Sequence, residues 1–434
     1  MGAKNETNTV SSPVQEVNLF SNNSRSRRQD LAVQKWVDNK LRGICICPTG
    51  FGKTRVGMLA ITRFLKKNST RQVIIVVPSD PIKQQWINET IDWQCFDNCQ
   101  VKTMYDVSKN TYTCDLLVID EIHKTLSPTL INLYTNITYK AILGLTATLE
   151  RLDGRETLIL NDCPVVDTVT MDEAIKNNWL SEYKEYVALI DAPDYDKYAK
   201  LNQEFQEHFA FFNFNFELAM ACATSWQRRA ALAKERCHGD DFKEVNKQIL
   251  VHAVGFSRTL QERKKFIYHH PKKIELAELI LEHRMDKKCI TFSSTIKMAE
   301  QIKYGSVYSG KDTAKKGRIT LAEFINQDGG ILNTVSKVNE GLNCPDISVA
   351  IMLGINSSKT TAAQRKGRAI RQKEGKIAEV FILVLKNTVE EKWLQNGFSG
   401  DEYTVIGEDD LINVLEGKEF TKKKKKETSI LFRF

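Results

Sequence analysis

No stretch of the 434 residues approaches the roughly 20 consecutive apolar positions that a helix needs to cross a bilayer, and the N-terminus lacks the apolar core of a secretory leader. A soluble protein of a reducing, cytoplasmic compartment is therefore expected. The ten cysteines, at 45, 47, 95, 99, 114, 163, 222, 237, 289 and 344, fall in no paired spacing, which speaks against a disulfide framework. Cys45, Cys47 and Cys289 lie in strand-like apolar runs and read as small buried hydrophobes. Cys95 and Cys99 have no second ligand pair at zinc spacing, so no structural metal is expected there. No nuclease-like run of Asp and Glu-x-Lys follows residue 390, which argues against a fused restriction enzyme. One-sided charge is also scarce. Lys and Arg number 62 against 54 Asp and Glu, and the resulting +8 permits a polyanionic partner without requiring one.

What is present is an ordinary globular composition, 42% hydrophobic and 27% charged, on a chain long enough for two or three domains. Short β-branched strands at 44–47, 73–77, 116–119 and 141–145 alternate with amphipathic helical segments. That alternation predicts a doubly wound parallel sheet covered on both faces. The pattern repeats at 289–292, 331–335, 350–353 and 378–384. Between the two, 195–222 and 226–237 are helical in composition and carry Phe205, Phe209, Phe211, Phe212, Phe214 and Phe216. These rings read as helix packing, with base stacking as the alternative. Arg228, Arg229, Arg258 and Arg263 suit either a phosphate backbone or the wet side of helices.

The chemistry-bearing run is Cys47-Pro-Thr-Gly-Phe-Gly-Lys-Thr54, which ends a strand and opens a helix. Gly50 and Gly52 let successive amides turn onto phosphate oxygens at a helix N-terminus. In this setting Lys53 reaches the β- and γ-phosphates of a nucleotide and the Thr54 hydroxyl ligates Mg²⁺. A second apolar strand runs into Asp120-Glu-Ile-His123. There Asp120 would hold Mg²⁺ through water and Glu121 would orient and deprotonate the attacking water. Farther on come Thr146-Ala-Thr148 and Gln364-Arg-Lys-Gly-Arg-Ala-Ile-Arg371, the latter placing Arg368 and Arg371 on one helix face toward a γ-phosphate.

Phosphate loop, Asp-Glu-x-His, Thr-Ala-Thr and arginine pair in this order resemble superfamily 2 helicases and translocases over roughly residues 25 to 390. The spelling is most similar to the branch of type III restriction translocases and phage branch-migration helicases, and less like the DEAD-box RNA helicases. The resemblance implies α/β architecture with two RecA-like doubly wound parallel-sheet domains and a helical connector. Its segments would be a lead-in at 1–24, an ATP-binding domain at 25–190, the connector at 191–270, a second domain at 271–390, a short segment at 391–421 and a Lys-rich arm at 422–434. It implies ATP contacts from Gln29, Thr49, Gly50, Phe51, Gly52, Lys53, Thr54, Glu340, Gly341 and Gln364, with Lys53, Asp120, Glu121, Arg368 and Arg371 catalytic. His123, Thr146 and Thr148 would couple the cleft to the track. Pro78, Ser79, Thr103, Ser293, Ser294, Thr334 and Val335 would face nucleic acid. Three departures from the family pattern are Leu149 after Thr148, Asn343, and Ser26 where an arginine three residues before Gln29 is usual.

The implied activity is ATP-dependent unwinding or branch migration of duplex or forked DNA by a monomer. The alternatives are a nucleic-acid-stimulated ATPase that does not separate strands, and an RNA helicase. The terminal Ile430, Leu431, Phe432 and Phe434 either pack back on the body or form a short peptide for a replication partner such as a sliding clamp.

Overall fold

Runs such as Val73–Val77, five β-branched residues without a polar break, cannot present a wet face and must be covered on both sides. The computed structural model, which describes residues 23–149, 154–239, 241–309, 314–335, 347–355, 377–397 and 403–420, builds them into two parallel sheets. The first contains β1 (Arg42–Ile46), β2 (Val73–Val77), β3 (Cys99–Thr103), β4 (Tyr112–Asp120), β5 (Ile137–Thr146) and β6 (Val165–Thr168) in the order β3-β2-β4-β5-β1-β6. The second contains β7 (Tyr183–Ile190), β8 (Lys288–Ser293), β9 (Ser306–Tyr308), β10 (Gly330–Val335), β11 (Val349–Met352), β12 (Ala378–Leu385) and β13 (Thr404–Gly407) in the order β13-β7-β12-β11-β8-β10-β9.

All eight anticipated strands are present, and five more join them. β3, β6, β9 and β13 are short strands near or at sheet edges with polar residues, so no continuous apolar run announces them. β7 carries a larger correction. It lies inside the expected first domain, 25–190, yet pairs with β12 and β13 in the second sheet. Likewise β13 brings part of 391–421 into that sheet, and Phe420 closes on Tyr186 at 6.3 Å between ring centroids. Strand allegiance is set by which ladder is open, a long-range property that local composition does not carry.

Three helices frame the first sheet: α1 (Ser24–Asp38), α2 (Lys53–Lys66) and α3 (Asp80–Asp92). α1 begins where Asn23 caps the amide of Ser26 at 2.8 Å. It is fixed to the far edge by Arg28, which reaches Asp167 and Glu173, each at 2.6 Å, and inside by Trp36, whose indole donates to the Ile142 carbonyl at 2.8 Å.

Helices Tyr195–Ala210, Phe216–Thr224, Trp226–Arg236 and Phe242–Tyr268 follow β7, and their aromatics mainly pack on one another. Phe205 and Phe212 are buried with Phe256 in a separate small core, whereas Phe214 and Phe216 stay exposed. Arg258 pairs with Glu204 and Glu262 on the surface. Arg263 is neither a wet nor a phosphate-facing residue. It is buried, with its guanidinium 4.0 Å from the ring centre of Phe205.

The second sheet is locked by a charge pair with no exposed surface. Lys273 donates to both carboxylate oxygens of Glu390, at 2.6 and 2.7 Å, and to the Leu353 carbonyl at 3.0 Å. Burial lowers the lysine pKa and raises that of the glutamate, and each partner opposes the shift of the other. Lys273→Met would strand a buried carboxylate and should cost about 3–5 kcal/mol, read as a lower thermal midpoint. A Lys273→Met/Glu390→Leu pair should recover most of that loss.

Among the described residues no helix is long and apolar enough to cross a membrane, and no group of three or more His, Cys, Asp or Glu could hold a metal. The Cys95 and Cys99 sulfurs are 3.8 Å apart without a further ligand. Burial pushes the Cys47 and Cys289 thiols up to about 12, as expected for packing residues.

Candidate active site

The parallel register brings the local motifs together. β4, β5 and β1 are neighbours, with Asp120 beside Leu145 and Ile46 beside Thr146, so the phosphate loop, the acidic pair and the Thr-Ala-Thr element leave one edge of the sheet. Cys47 lies just beyond β1 and extends the ladder through its amide to the Thr146 carbonyl at 2.9 Å.

Gly50 and Gly52 both take left-handed angles, φ +93° and +100°. A Cβ at Gly52 would come within 2.6 Å of the Gln29 amide nitrogen, so only glycine fits beneath α1. Gln29 donates to the Phe51 carbonyl at 2.8 Å, while its Oε1 is buried without a hydrogen-bond partner. The Thr49 hydroxyl is in the same condition. Buried acceptors are rarely left unpaired. Phe51 is itself fully buried against Trp179, ring centres 5.5 Å apart.

Sequence reasoning passed over Arg25. It stands four residues before Gln29, one helical turn, and donates to the carbonyls of Gly50 and Phe51, the latter at 2.9 Å. The family's usual arginine is missing at Ser26, but an arginine one position earlier braces the same loop. The signal was available as helical spacing.

Glu121 is the strained residue of the site. Its backbone is left-handed, φ +53° and ψ +50°, a conformation that costs a non-glycine residue about 1–3 kcal/mol. The kink ends β4 and sets the carboxylate 3.2 Å from the Lys53 ammonium. Burial pushes the Glu121 carboxyl up, but Lys53, His123 and Lys124 outweigh it and hold the group ionised. Asp120 goes the other way, raised by burial and by the neighbouring Glu121, with Lys53 and the Trp86 indole opposing.

Beside Glu121 a hydrogen-bonded chain runs from His123 to Thr148. His123 Nδ1 is 2.9 Å from the Thr146 hydroxyl, which donates to the Thr148 carbonyl at 2.6 Å and accepts the Thr148 amide at 3.3 Å. The hydroxyl has one proton, and it goes to the carbonyl. His123 must therefore carry its proton on Nδ1 and donate it to Thr146. Glu121 Oε2 lies 3.5 Å from the same nitrogen, too far to compete for that proton.

The residues expected at the nucleic-acid face divide. Pro78, Ser79 and Ser294 are half-buried at strand ends, and Ser79 leads into α3 with its hydroxyl unbonded. Thr103 is occupied locally, capping the Asp106 amide at 3.2 Å. Ser293, Thr334 and Val335 are buried, and the Thr334 hydroxyl donates to the Thr291 carbonyl at 2.7 Å. This corrects the expectation of side-chain contact at those three positions, because side chains with little or no exposed surface offer almost nothing to an overlying strand. Glu340, Gly341, Gln364, Arg368 and Arg371 lie outside the described residues, as do Ile430, Leu431, Phe432 and Phe434.

Comparison with known proteins bears on this geometry. The model of the type III restriction enzyme res subunit matches residues 23–112, and that of the helicase conserved C-terminal domain matches 271–373. The DNA 3'-5' translocase XPB2 of Sulfurisphaera tokodaii is 26% identical over 385 residues, covering 83% of this chain and 81% of its own length. A protein named as a helicase in a Sulfolobus islandicus filamentous virus is 23% identical over 412 residues, covering 85% of this chain and 67% of its own. In architecture, S. cerevisiae Dbp5 bound to RNA and ADP BeF3 superimposes with a TM-score of 0.55 at 14% identity, over 89% of this chain and 91% of that one. With both helicase domains in this order, and a DNA translocase similar along most of both chains, this protein belongs to superfamily 2 of the helicases and translocases and is an ATP-dependent enzyme.

Proposed function

We propose that the chain is a DNA motor that couples ATP hydrolysis to movement along, and separation or branch migration of, duplex or forked DNA. The observation that carries this reading is the succession of polar side chains from the Lys53–Glu121 ion pair, across a 3.5 Å approach of Glu121 to His123, to the hydrogen-bonded chain His123–Thr146–Thr148. It links the nucleotide side of the first sheet to an element outside the phosphate loop.

The residues present suit ATP with Mg²⁺. Gln29 Oε1 and the Thr49 hydroxyl are buried without partners and Gly50 and Gly52 open the loop, while Thr54 and Asp120 would supply oxygens for Mg²⁺. Bound Mg²⁺ supplies neutralisation of phosphate charge. Lys53 then exchanges Glu121 for phosphate oxygens, which releases the carboxylate to orient and accept a proton from water. Arg368 and Arg371, from the second domain match, complete the grip from the other side, with Glu340, Gly341 and Gln364. Because the closed arrangement binds ligand better, each cycle is a shift between two populations. His123 and Thr146 pass that shift to Thr148.

Thr146→Val keeps the volume but removes the proton that reaches Thr148 and the acceptor for His123. Strand displacement should fall about tenfold or more while the DNA-stimulated ATPase keeps most of its rate, the magnitude being that of one lost positioned hydrogen bond. A parallel loss of both activities would reject the relay.

DNA as the track is supported by the name of the similar translocase and the res-subunit match. Contact with phosphates should make binding fall steeply with salt and show little sequence preference. The name translocase also favours a second reading, movement without strand separation. ATPase rates with single-stranded, duplex and branched DNA and RNA, measured beside displacement of a forked duplex, separate these. Unwinding supports the helicase, stimulation by DNA without unwinding the pure translocase, and stimulation by RNA alone overturns the DNA reading.

A further inference from the structure

Trp86 touches both the acidic pair and the helix of the phosphate loop. It lies on α3, is fully buried, and its Nε1 donates to Asp120 Oδ2 at 3.0 Å. The far edge of the same indole rests on Gly57 in α2. A Cβ there would meet the ring at 2.5 and 3.2 Å, so glycine makes the seat. The ring is thus wedged between the helix that begins with Lys53 and Thr54 and the last residue of β4.

We propose that Trp86 is a positioning residue for Mg²⁺: it occupies one oxygen of Asp120 and so fixes which oxygen the carboxylate offers to the metal. A free carboxylate has two equivalent oxygens and several acceptor directions. An indole is suited to choosing between them, since it donates one proton, accepts none, never ionises and is held rigidly by its packing. Partners of this kind around a ligating carboxylate typically change metal affinity about 10–100-fold when removed.

The inference rests on the assignment of Asp120 to Mg²⁺ made above, and its test keeps the two apart. In the full chain, Trp86 is replaced by 3-benzothienylalanine, which keeps the ring shape and substitutes sulfur for the N–H, and separately by Phe. ADP affinity is measured by calorimetry in EDTA and at stepped Mg²⁺. The expected result is an affinity in EDTA within about twofold of the parent and a Mg²⁺ midpoint raised about tenfold, in the range set by such outer partners. Asp120→Asn should raise the midpoint by at least as much. If Asp120→Asn moves it and the benzothienyl variant does not, the role of Trp86 is overturned while the metal assignment stands. If Asp120→Asn leaves it unmoved, the assignment fails and the positioning role falls with it. Should Trp86→Phe lose its fold, the isosteric variant still decides.

Discussion

Glu121→Gln is expected to leave ATP bound and to slow its hydrolysis about 10²–10⁴-fold, the range for loss of a positioned general base. The geometry makes the two effects separable. Without ligand, Glu121 is paired to Lys53 at 3.2 Å and kept ionised by it, so its basicity is held down. When Lys53 turns to phosphate, the carboxylate loses its nearest countercharge and becomes a better proton acceptor at the step that needs one. Glutamine keeps the size and the left-handed backbone but cannot take a proton. It also competes less for Lys53, so the dissociation constant for ATP should stay level or fall. Single-turnover hydrolysis beside equilibrium ATP binding checks both halves. A variant that still hydrolyses within tenfold of the parent would remove Glu121 from the chemistry.

Much of this site was legible because its geometry is local. Glycines at 50 and 52 imply a loop of left-handed turns, and the backbone has both at positive φ; a carboxylate after a buried apolar run implies the end of a parallel strand, and Asp120 ends β4 beside Leu145. What the sequence concealed depends on distance along the chain. Lys273 and Glu390 stand 117 positions apart with nothing local to link them, yet they are one buried pair. Arg263 sat in a run of polar residues that reads as solvated, and only the fold turns it onto Phe205. Trp86 was one apolar residue among many, since nothing local says that its N–H would find Asp120. The seat at Gly57 was equally silent, because a helical glycine declares neither what presses on it nor from where. The boundary at 190 leaves β7 with the preceding strands, whereas its partners come from far downstream.

Lys53→Ala should show the second large effect, and it should appear in two measurements at once. Nucleotide binding is expected to weaken about 10–100-fold, the value of one charge-assisted contact to phosphate. The ligand-free protein should also lose stability. Lys53 is 3.2 Å from Glu121, holds its carboxyl below the usual range, and opposes the rise that burial imposes on Asp120. Alanine leaves two adjacent carboxylates without that charge, and breaking such a pair costs about 3–5 kcal/mol when it is fully buried. Here the Lys53 and Glu121 side chains each retain 12% exposure, so the lower end of that range is expected. The double variant Lys53→Ala/Glu121→Gln removes the stranded charge with its partner, so the thermal midpoint should return toward the parent value while ATP binding stays weak. That divergence separates the two roles of the lysine. Recovery of binding along with stability would mean that Lys53 acts on the nucleotide only by holding the loop in shape.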